Sequence, residues 1–221
     1  MKRLWSRMNR KTRLLLELAA LLLVVLFWLI LLDFPHLTRT GAYRSLEREN
    51  LSGPGAVLYT LDGEVWSLRG PVYIARQEGG LSWGEVRRDG LFWRGGQFEG
   101  VALSADGPLT LLPIHSLRAA NPWFLAAVYT TNPAVDVVEV DLPMARGHTN
   151  AHTLVTARAS RVADRLFLFE VKAGDYLTYG EEHDYHLDGE DARLRAYDAS
   201  GALIYEQPAP ESWARDYGFS S

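Results

Sequence analysis

The stretch Trp123–Leu142 reads WFLAAVYTTNPAVDVVEVDL and carries a clear β-strand pattern. Trp123–Tyr129 is an uninterrupted apolar run, and Val135–Leu142 largely alternates apolar and acidic residues, with β-branched valines at most apolar positions. Thr131-Asn132-Pro133 lies between them and has the composition of a turn. This part of the chain therefore predicts two strands joined by a turn.

The same kind of pattern continues toward the C-terminus. Leu166–Val171 predicts a further strand, and Arg193–Tyr197 with Leu203–Tyr205 predicts a terminal hairpin around a turn at 198–201. Thr153–Ala163 fits a strand or an alanine-rich helix, and the pattern favours the strand. Several short strands with turns between them predict a β-sandwich of immunoglobulin-like style.

Before Trp123, the segment Ala56–Pro113 is rich in glycine and tryptophan and predicts an antiparallel β meander. Asp62-Gly63 favours a tight hairpin between Ala56–Leu61 and Glu64–Leu68. Further turns are predicted at Asp89-Gly90 and Asp106-Gly107. Their spacings of 27 and then 17 residues are unequal, which excludes a fixed-period propeller or solenoid.

Leu14–Leu32 is an apolar run of nineteen residues that contains a single charge, Glu17. At about 1.5 Å per residue a helix of this length covers roughly 28 Å, close to the ~30 Å hydrocarbon core of a bilayer. Residues 1–13 hold six lysines and arginines, which predicts a cytoplasmic N-terminus. The run is longer than the core of a secretory signal and lacks a well-placed small-residue cleavage site, so an uncleaved anchor is favoured over a cleaved signal.

The predicted organisation is mainly β, with a single transmembrane helix and a short stalk before the β meander and the sandwich-type region. The predicted segments are a cytoplasmic head (1–13), the span (14–32), the stalk (33–52), an extracytoplasmic β-rich domain (53–206) with a subdomain boundary near 114–122, and a C-terminal tail (207–221). Trp213, Tyr217 and Phe219 favour docking of the tail on its own domain.

The amino-acid composition excludes several classes of partner and of enzyme. Beyond Asp33 the chain has 17 basic and 25 acidic residues, a formal net charge of about −8, which makes nucleic acid a poor partner. The absence of cysteine excludes thiol enzymes, thiolate zinc sites and iron–sulfur clusters. No nucleophile elbow, S-x-x-K pair or phosphate-binding glycine loop is present.

A histidine-rich region is the site candidate. His148 and His152 are four residues apart, and His183 and His186 follow within a run of acidic residues. Imidazole and carboxylate groups suit zinc or nickel, but no HExxH motif supplies a general base. Two solvated loops explain the same residues, and the pattern favours that interpretation over a metal site.

The aromatic residues of the meander have two interpretations. Exposed rings on a sheet bind glycans or peptides, but packing in a core is their more frequent role. The favoured hypothesis is a non-catalytic interaction, sensing or envelope-assembly module without a cofactor, anchored in the bilayer through residues 14–32, with an envelope protein or a glycan as its partner. The alternative is a metal-binding or metal-dependent exported protein that uses His148, His152, His183 and His186.

Overall fold

The structure is a computed structural model, which describes residues 9–31, 36–62, 68–115, 123–146, 152–172, 185–187 and 192–219. Within these ranges the helices are α1 (Arg10–Leu31), α2 (Arg39–Glu49) and a short π-helix (Trp213–Tyr217). The strands are β1 (Ala56–Leu61), β2 (Val72–Gln77), β3 (Gly80–Asp89), β4 (Phe92–Ala102), β5 (Leu109–His115), β6 (Trp123–Thr130), β7 (Val137–Arg146), β8 (His152–Ala163), β9 (Leu166–Lys172), β10 (Tyr185–Leu187), β11 (Arg193–Tyr197) and β12 (Leu203–Glu206). The mainly β prediction is confirmed.

Helix α1 is long and apolar enough to span a membrane, and none of its apolar window is buried inside the protein. Its 22 residues correspond to roughly 33 Å. The helix begins four residues before the predicted span, and Leu32 lies outside the described residues. Arg13 Nε lies 3.1 Å from Glu17 Oε1, so the one acidic residue of the run has a basic partner one turn earlier.

Strands β1 to β4 form a four-stranded antiparallel sheet in sequence order, which confirms the predicted meander from Ala56 to Ala102. Its predicted continuation to Pro113 was wrong, because Leu109–His115 form β5, which pairs with β6 in the other sheet. Strands β3 and β4 are joined at the predicted Asp89-Gly90 turn, where Gly90 has a φ of +62° that suits glycine. Strand β1 pairs with β2. The second arm of the hairpin predicted at Asp62-Gly63 lies outside the described residues except for Leu68.

The other strands form an eight-stranded antiparallel sheet in the order β12-β11-β7-β8-β9-β6-β5, with β10 also paired to β7. Strand β8 pairs with β7 through residues 152–159 and with β9 from residue 160 onward. Because one long strand belongs to both halves, the sheet curls into a half-barrel. The immunoglobulin-like sandwich is not confirmed, since the two halves are one continuous sheet.

Alternate residues of β6 enter two different cores. Phe124, Ala126 and Val128 pack in the core enclosed by the curled sheet, between β5-β6-β9 and β8-β7-β11. Leu125 and Ala127 point the other way, into a second core shared with β2 and β3 of the meander. Side chains on a strand alternate between faces, so a strand covered on both sides is apolar throughout, and this explains the run at Trp123–Tyr129.

Helix α2 packs on the outer face of the meander and does not stand apart as a stalk. Thr38 caps its N-terminus by accepting a hydrogen bond from the Gly41 backbone N–H at 3.1 Å. Ala42, Tyr43 and Leu46 are buried, and the rings of Tyr43 and Tyr73 stack with centroids 4.7 Å apart. The helix is therefore part of the folded domain.

The C-terminal segment docks on its own domain, as predicted for Trp213. This side chain is buried, with the guanidinium of Arg193 5.2 Å from the centre of its ring. Phe219 packs edge-on against the same ring at 5.8 Å. The segment that follows β12 therefore covers part of the outer face of the β7-β11 pair.

Candidate anion-binding site

A cavity of about 480 Å³ lies beside the β3–β4 hairpin, and its lining is basic. It includes four of the sixteen arginines that follow the N-terminal head, although the domain as a whole is acidic. The basic residues of the lining are Arg69, Arg87, Arg88, Arg94 and His36, and the acidic residues are Glu49 and Asp89. This volume is typical of a small-molecule site.

The hairpin register places two of these arginines directly opposite each other. Arg87 pairs with Arg94, and Arg88 pairs with Trp93. Directly opposed residues on adjacent strands share one face, with Cβ atoms about 4.5–5.5 Å apart, and like charges in such positions destabilise the pair. Arg94 Nε lies 3.3 Å from Asp89 Oδ2, but both side chains are substantially exposed, so this ion pair offsets little of the repulsion.

Arg69 reaches the same place because its loop packs tightly on β3. A Cβ atom at Gly70 would lie 2.0 Å from the Val86 carbonyl oxygen and 3.1 Å from the Arg87 Cα, so only glycine allows this approach. The Arg69 backbone N–H also donates to the buried carboxylate of Glu85. These contacts hold the Arg69 backbone beside Arg87.

The chain that leaves α1 forms another side of the cavity. His36 and Trp93 make two reciprocal backbone hydrogen bonds, at 3.0 and 2.7 Å, in a short antiparallel bridge on the outer edge of β4. The Trp93 ring also lies beneath the Arg39 guanidinium of α2, at 4.9 Å from the ring centre. The cavity is thus built where α2, the hairpin and the segment after α1 meet.

The donors in the cavity are only partly used within the protein. Arg88 Nε donates to the Gly90 carbonyl at 3.0 Å, and Glu49 is occupied by the Ser45 hydroxyl at 3.0 Å. Among the residues that the structure describes, the guanidinium groups of Arg69 and Arg87 have no ion-pair partner. A planar guanidinium presents paired N–H donors that match carboxylate and phosphate oxygens, so the arrangement suits an anion.

Asp141 forms a second polar cluster, on the outer face of β7, but this cluster is closed. Its buried carboxylate accepts hydrogen bonds from Thr156 at 2.6 Å, from Arg195 at 2.8 Å, and from Arg193 Nε and Nη2 at 3.0 and 2.8 Å. Beside it, Tyr197 donates to Glu139 at 2.9 Å. Because the acceptor positions of Asp141 are filled from within the protein, the cluster serves the fold and leaves no place for a ligand.

The predicted histidine site is only partly covered by the described residues. His148 and His183 lie outside them. His152 on β8 and His186 on β10 both pair with Ala145, one on each edge of β7, so the backbone places them in one cross-strand row. In the described part of the chain no group of three histidine, aspartate or glutamate side chains is arranged to hold a metal ion. The metal site stays a prediction.

The arginine cavity was not among the sites predicted from the sequence. A signal was present, since Arg87-Arg88 precedes the predicted Asp89-Gly90 turn and Arg94 follows it. A two-residue turn at Gly90-Leu91 brings Arg87 opposite Arg94. The contribution of Arg69 depends on the packing of its loop on β3 and has no comparable local signal.

Comparison with known proteins leads to one family. No curated protein and no solved structure matches the chain. A family model described as a domain of unknown function, DUF5044, matches residues 35–217, which include α2, both sheets and the docked C-terminal segment. The chain therefore belongs to the DUF5044 family.

Proposed function

We propose that the protein is a single-pass, membrane-anchored binding module that displays its β domain outside the cytoplasm and recognises an anionic ligand through the arginine cavity. In this proposal it acts in interaction, sensing or envelope assembly without catalysing a reaction. The observation that carries the proposal is the basic cavity on an acidic domain, a few residues beyond an apolar helix that no part of the protein buries.

The anchor is supported by the exposure of α1. Each large apolar side chain left in water costs about 1.5–3 kcal/mol relative to burial, and the exposed side chains of α1 include more than ten such residues. Insertion into a bilayer removes this cost. The basic residues of the head support a cytoplasmic N-terminus, because positive flanks are retained on that side.

The natural absence of cysteine permits a direct test of orientation. We would introduce one cysteine at Ala199, an exposed residue between β11 and β12, and in a separate variant one at Ser6 in the head. Intact spheroplasts would then be treated with a membrane-impermeant maleimide. We expect labelling of Ala199→Cys before lysis and of Ser6→Cys only after lysis, and the reverse pattern would refute the orientation.

The anionic ligand remains to be tested by binding. Full-length protein in dodecyl maltoside micelles, which contain no phosphate, would be titrated with an anion series that includes acetate, sulfate and phosphate. Binding that weakens in Arg87→Gln and not in Arg158→Gln, an exposed arginine on β8, would support the cavity as the site. Equal weakening in both variants would refute it, because simple charge loss would then explain the result.

The metal-binding alternative keeps one supporting observation, the placement of His152 and His186 on either side of Ala145. Zinc titration of the full-length protein, compared with the His152→Ala/His186→Ala variant, tests it. A stoichiometric rise in melting temperature that the variant loses would support a metal site. The same response in both proteins would exclude these two histidines as ligands.

A further inference from the structure

We propose that the arginine cavity binds a phosphate ester at the outer surface of the membrane in which α1 is inserted. The inference rests on the anchored topology proposed above and specifies the chemistry and the place of the ligand. Four features support it: the number of guanidinium donors, the opposed arginine pair, the distance from the cavity to the membrane, and two exposed leucines beside the cavity.

The cavity holds more guanidinium N–H donors than one carboxylate can accept hydrogen bonds from. One guanidinium engages both oxygens of a carboxylate with two parallel hydrogen bonds. Here Arg69 and Arg87 have no ion-pair partner among the described residues, and Arg88 and Arg94 each keep donors beyond their contacts with Gly90 and Asp89. A phosphate ester has two or three peripheral oxygens and one or two negative charges, so it matches several guanidinium groups at once.

The opposed arginine pair is only partly neutralised by the acidic residues of the lining, Glu49 and Asp89. Arg87 and Arg94 are direct cross-strand partners. Within the described part of the chain, Arg94 pairs with Asp89, which is exposed at the end of the same hairpin, and Arg87 has no ion-pair partner. An anion bound between the two guanidinium groups removes their repulsion. A bound anion therefore stabilises this hairpin more than it would stabilise an exposed strand pair without opposed like charges.

The cavity lies close to the membrane by covalent constraint. His36, which lines it, is the fifth residue after Leu31 at the end of α1, and five residues span at most about 18 Å. The polar headgroup region extends roughly 5–8 Å beyond the hydrocarbon core. The lipid phosphates are thus within reach of the cavity side of the domain.

Two exposed leucines flank the cavity. Leu37 follows His36, and Leu91 lies in the β3–β4 turn two residues before Trp93, and the two are 77% and 79% exposed. Apolar side chains beside a basic patch are typical of protein surfaces that insert into the headgroup region. The rest of the domain is net acidic and is repelled by an anionic membrane surface, so this face is the one suited to approach it.

The test uses full-length protein in dodecyl maltoside micelles and two probes that share the phosphate ester. The soluble probe is sn-glycerol 3-phosphate, and the lipid probe is phosphatidylglycerol added to the micelles, with a neutral glycolipid as the blank. Phenylglyoxal modification followed by mass spectrometry reports the accessibility of each arginine. We expect either probe to slow modification of Arg69 and Arg87 and to leave Arg158 unchanged.

Variants separate the specific site from general charge. Arg69→Gln/Arg87→Gln removes two full donor sets and should weaken binding roughly tenfold or more. Arg158→Gln/Arg165→Gln removes the same charge from an exposed and a half-exposed position outside the cavity lining and should change affinity by less than about twofold. Arg87→Lys retains the charge without the paired donors, so a loss of affinity there shows that donor geometry contributes.

The outcomes discriminate between the sources of the ligand. Protection by phosphatidylglycerol at lower concentration than by glycerol 3-phosphate supports a lipid headgroup, and the opposite order supports a soluble phosphate ester. Failure of both probes to protect Arg69 and Arg87 overturns the inference, as does an equal loss in the two double variants. The measurement is made in micelles and does not depend on membrane orientation, so its failure is distinguishable from a failed cysteine-labelling test.

Discussion

Replacement of Asp141 by alanine should destabilise the domain by about 3 kcal/mol. Asp141 is fully buried, and its carboxylate accepts the four hydrogen bonds that hold Arg193, Arg195 and Thr156 on the outer face of β7. Removal of one partner from a buried charged pair costs about 3–5 kcal/mol, because the remaining charge stays desolvated without compensation.

The lower end of that range applies here. The side chains of Arg193 and Arg195 are 25% and 23% exposed to solvent, so water can partly solvate both guanidinium groups when the carboxylate is lost. For a domain of about this size, each 1 kcal/mol lost from the free energy of unfolding lowers the melting temperature by roughly 2–4 °C. A fall of roughly 6–12 °C is therefore expected.

Urea unfolding of the full-length protein in micelles, followed by circular dichroism, measures the change. The matched control is Asp136→Ala, which breaks the half-exposed pair with Arg161 at 3.1 Å and should cost less than about 1 kcal/mol. Asp141→Leu/Arg193→Met/Arg195→Met removes the buried carboxylate together with both of its guanidinium partners, leaves only the more exposed Glu139 and Glu206, and should recover most of the loss. If Asp141→Ala is no more destabilising than Asp136→Ala, the reasoning about the buried carboxylate is wrong.

Three further predictions test other contacts. Burial raises the pKa of Tyr43 above the ordinary value near 10, so its contribution to stability is complete below pH ~10 and is lost as the pH rises further. In urea titrations above pH ~10, the free energy of unfolding of Tyr43→Phe should therefore fall less steeply with pH than that of the unchanged protein. Gly70→Ala should destabilise the domain by about 1–3 kcal/mol in urea unfolding because its Cβ meets the Val86 carbonyl, whereas Gly53→Ala, in open space, should not. Trp213→Ala should release the C-terminal segment and speed its cleavage in limited proteolysis, and an unchanged rate would contradict its docking role.

Elements with a strong local pattern were predictable. Strands β6 and β9 coincide with apolar runs of the sequence. The β11–β12 hairpin surrounds a turn in which Gly201 has a φ of +83°. Residues 153–163 are a strand, β8, as favoured over the helix. In each case the information lies within about ten residues, because alternation and turn chemistry act over that distance.

The packing of α2 was not predictable from its own residues. Its sequence is polar enough for a solvated stalk, with Tyr43 and Leu46 as isolated apolar points. Both become buried because Gly84 and Gly95 leave room on the meander, where an added Cβ would lie 2.9 and 2.8 Å from Leu46 atoms. The fit between a helix and glycines about forty to fifty residues away produces no periodic pattern in the local sequence.

The arginine cavity also depends on contacts between residues that are far apart in the sequence. Arg87 and Arg94 are brought together by a turn that the sequence did indicate, but Arg69 and His36 arrive through a loop contact and a backbone bridge. The histidines were the site candidate in the sequence because they cluster along the chain, although solvated loops were favoured over a metal site. The structure brings together arginines that are spread over 26 residues.

A long apolar helix before an acidic, cysteine-free domain of antiparallel strands is predictable from the amino-acid sequence alone, because helix length, charge and two-residue alternation are properties of neighbouring residues. The curling of the large sheet through β8, the packing of α2 on the domain and the meeting of four arginines in one cavity depend on the tertiary structure. These features arise from contacts between residues far apart in the chain, whose free energy depends on how whole layers pack together.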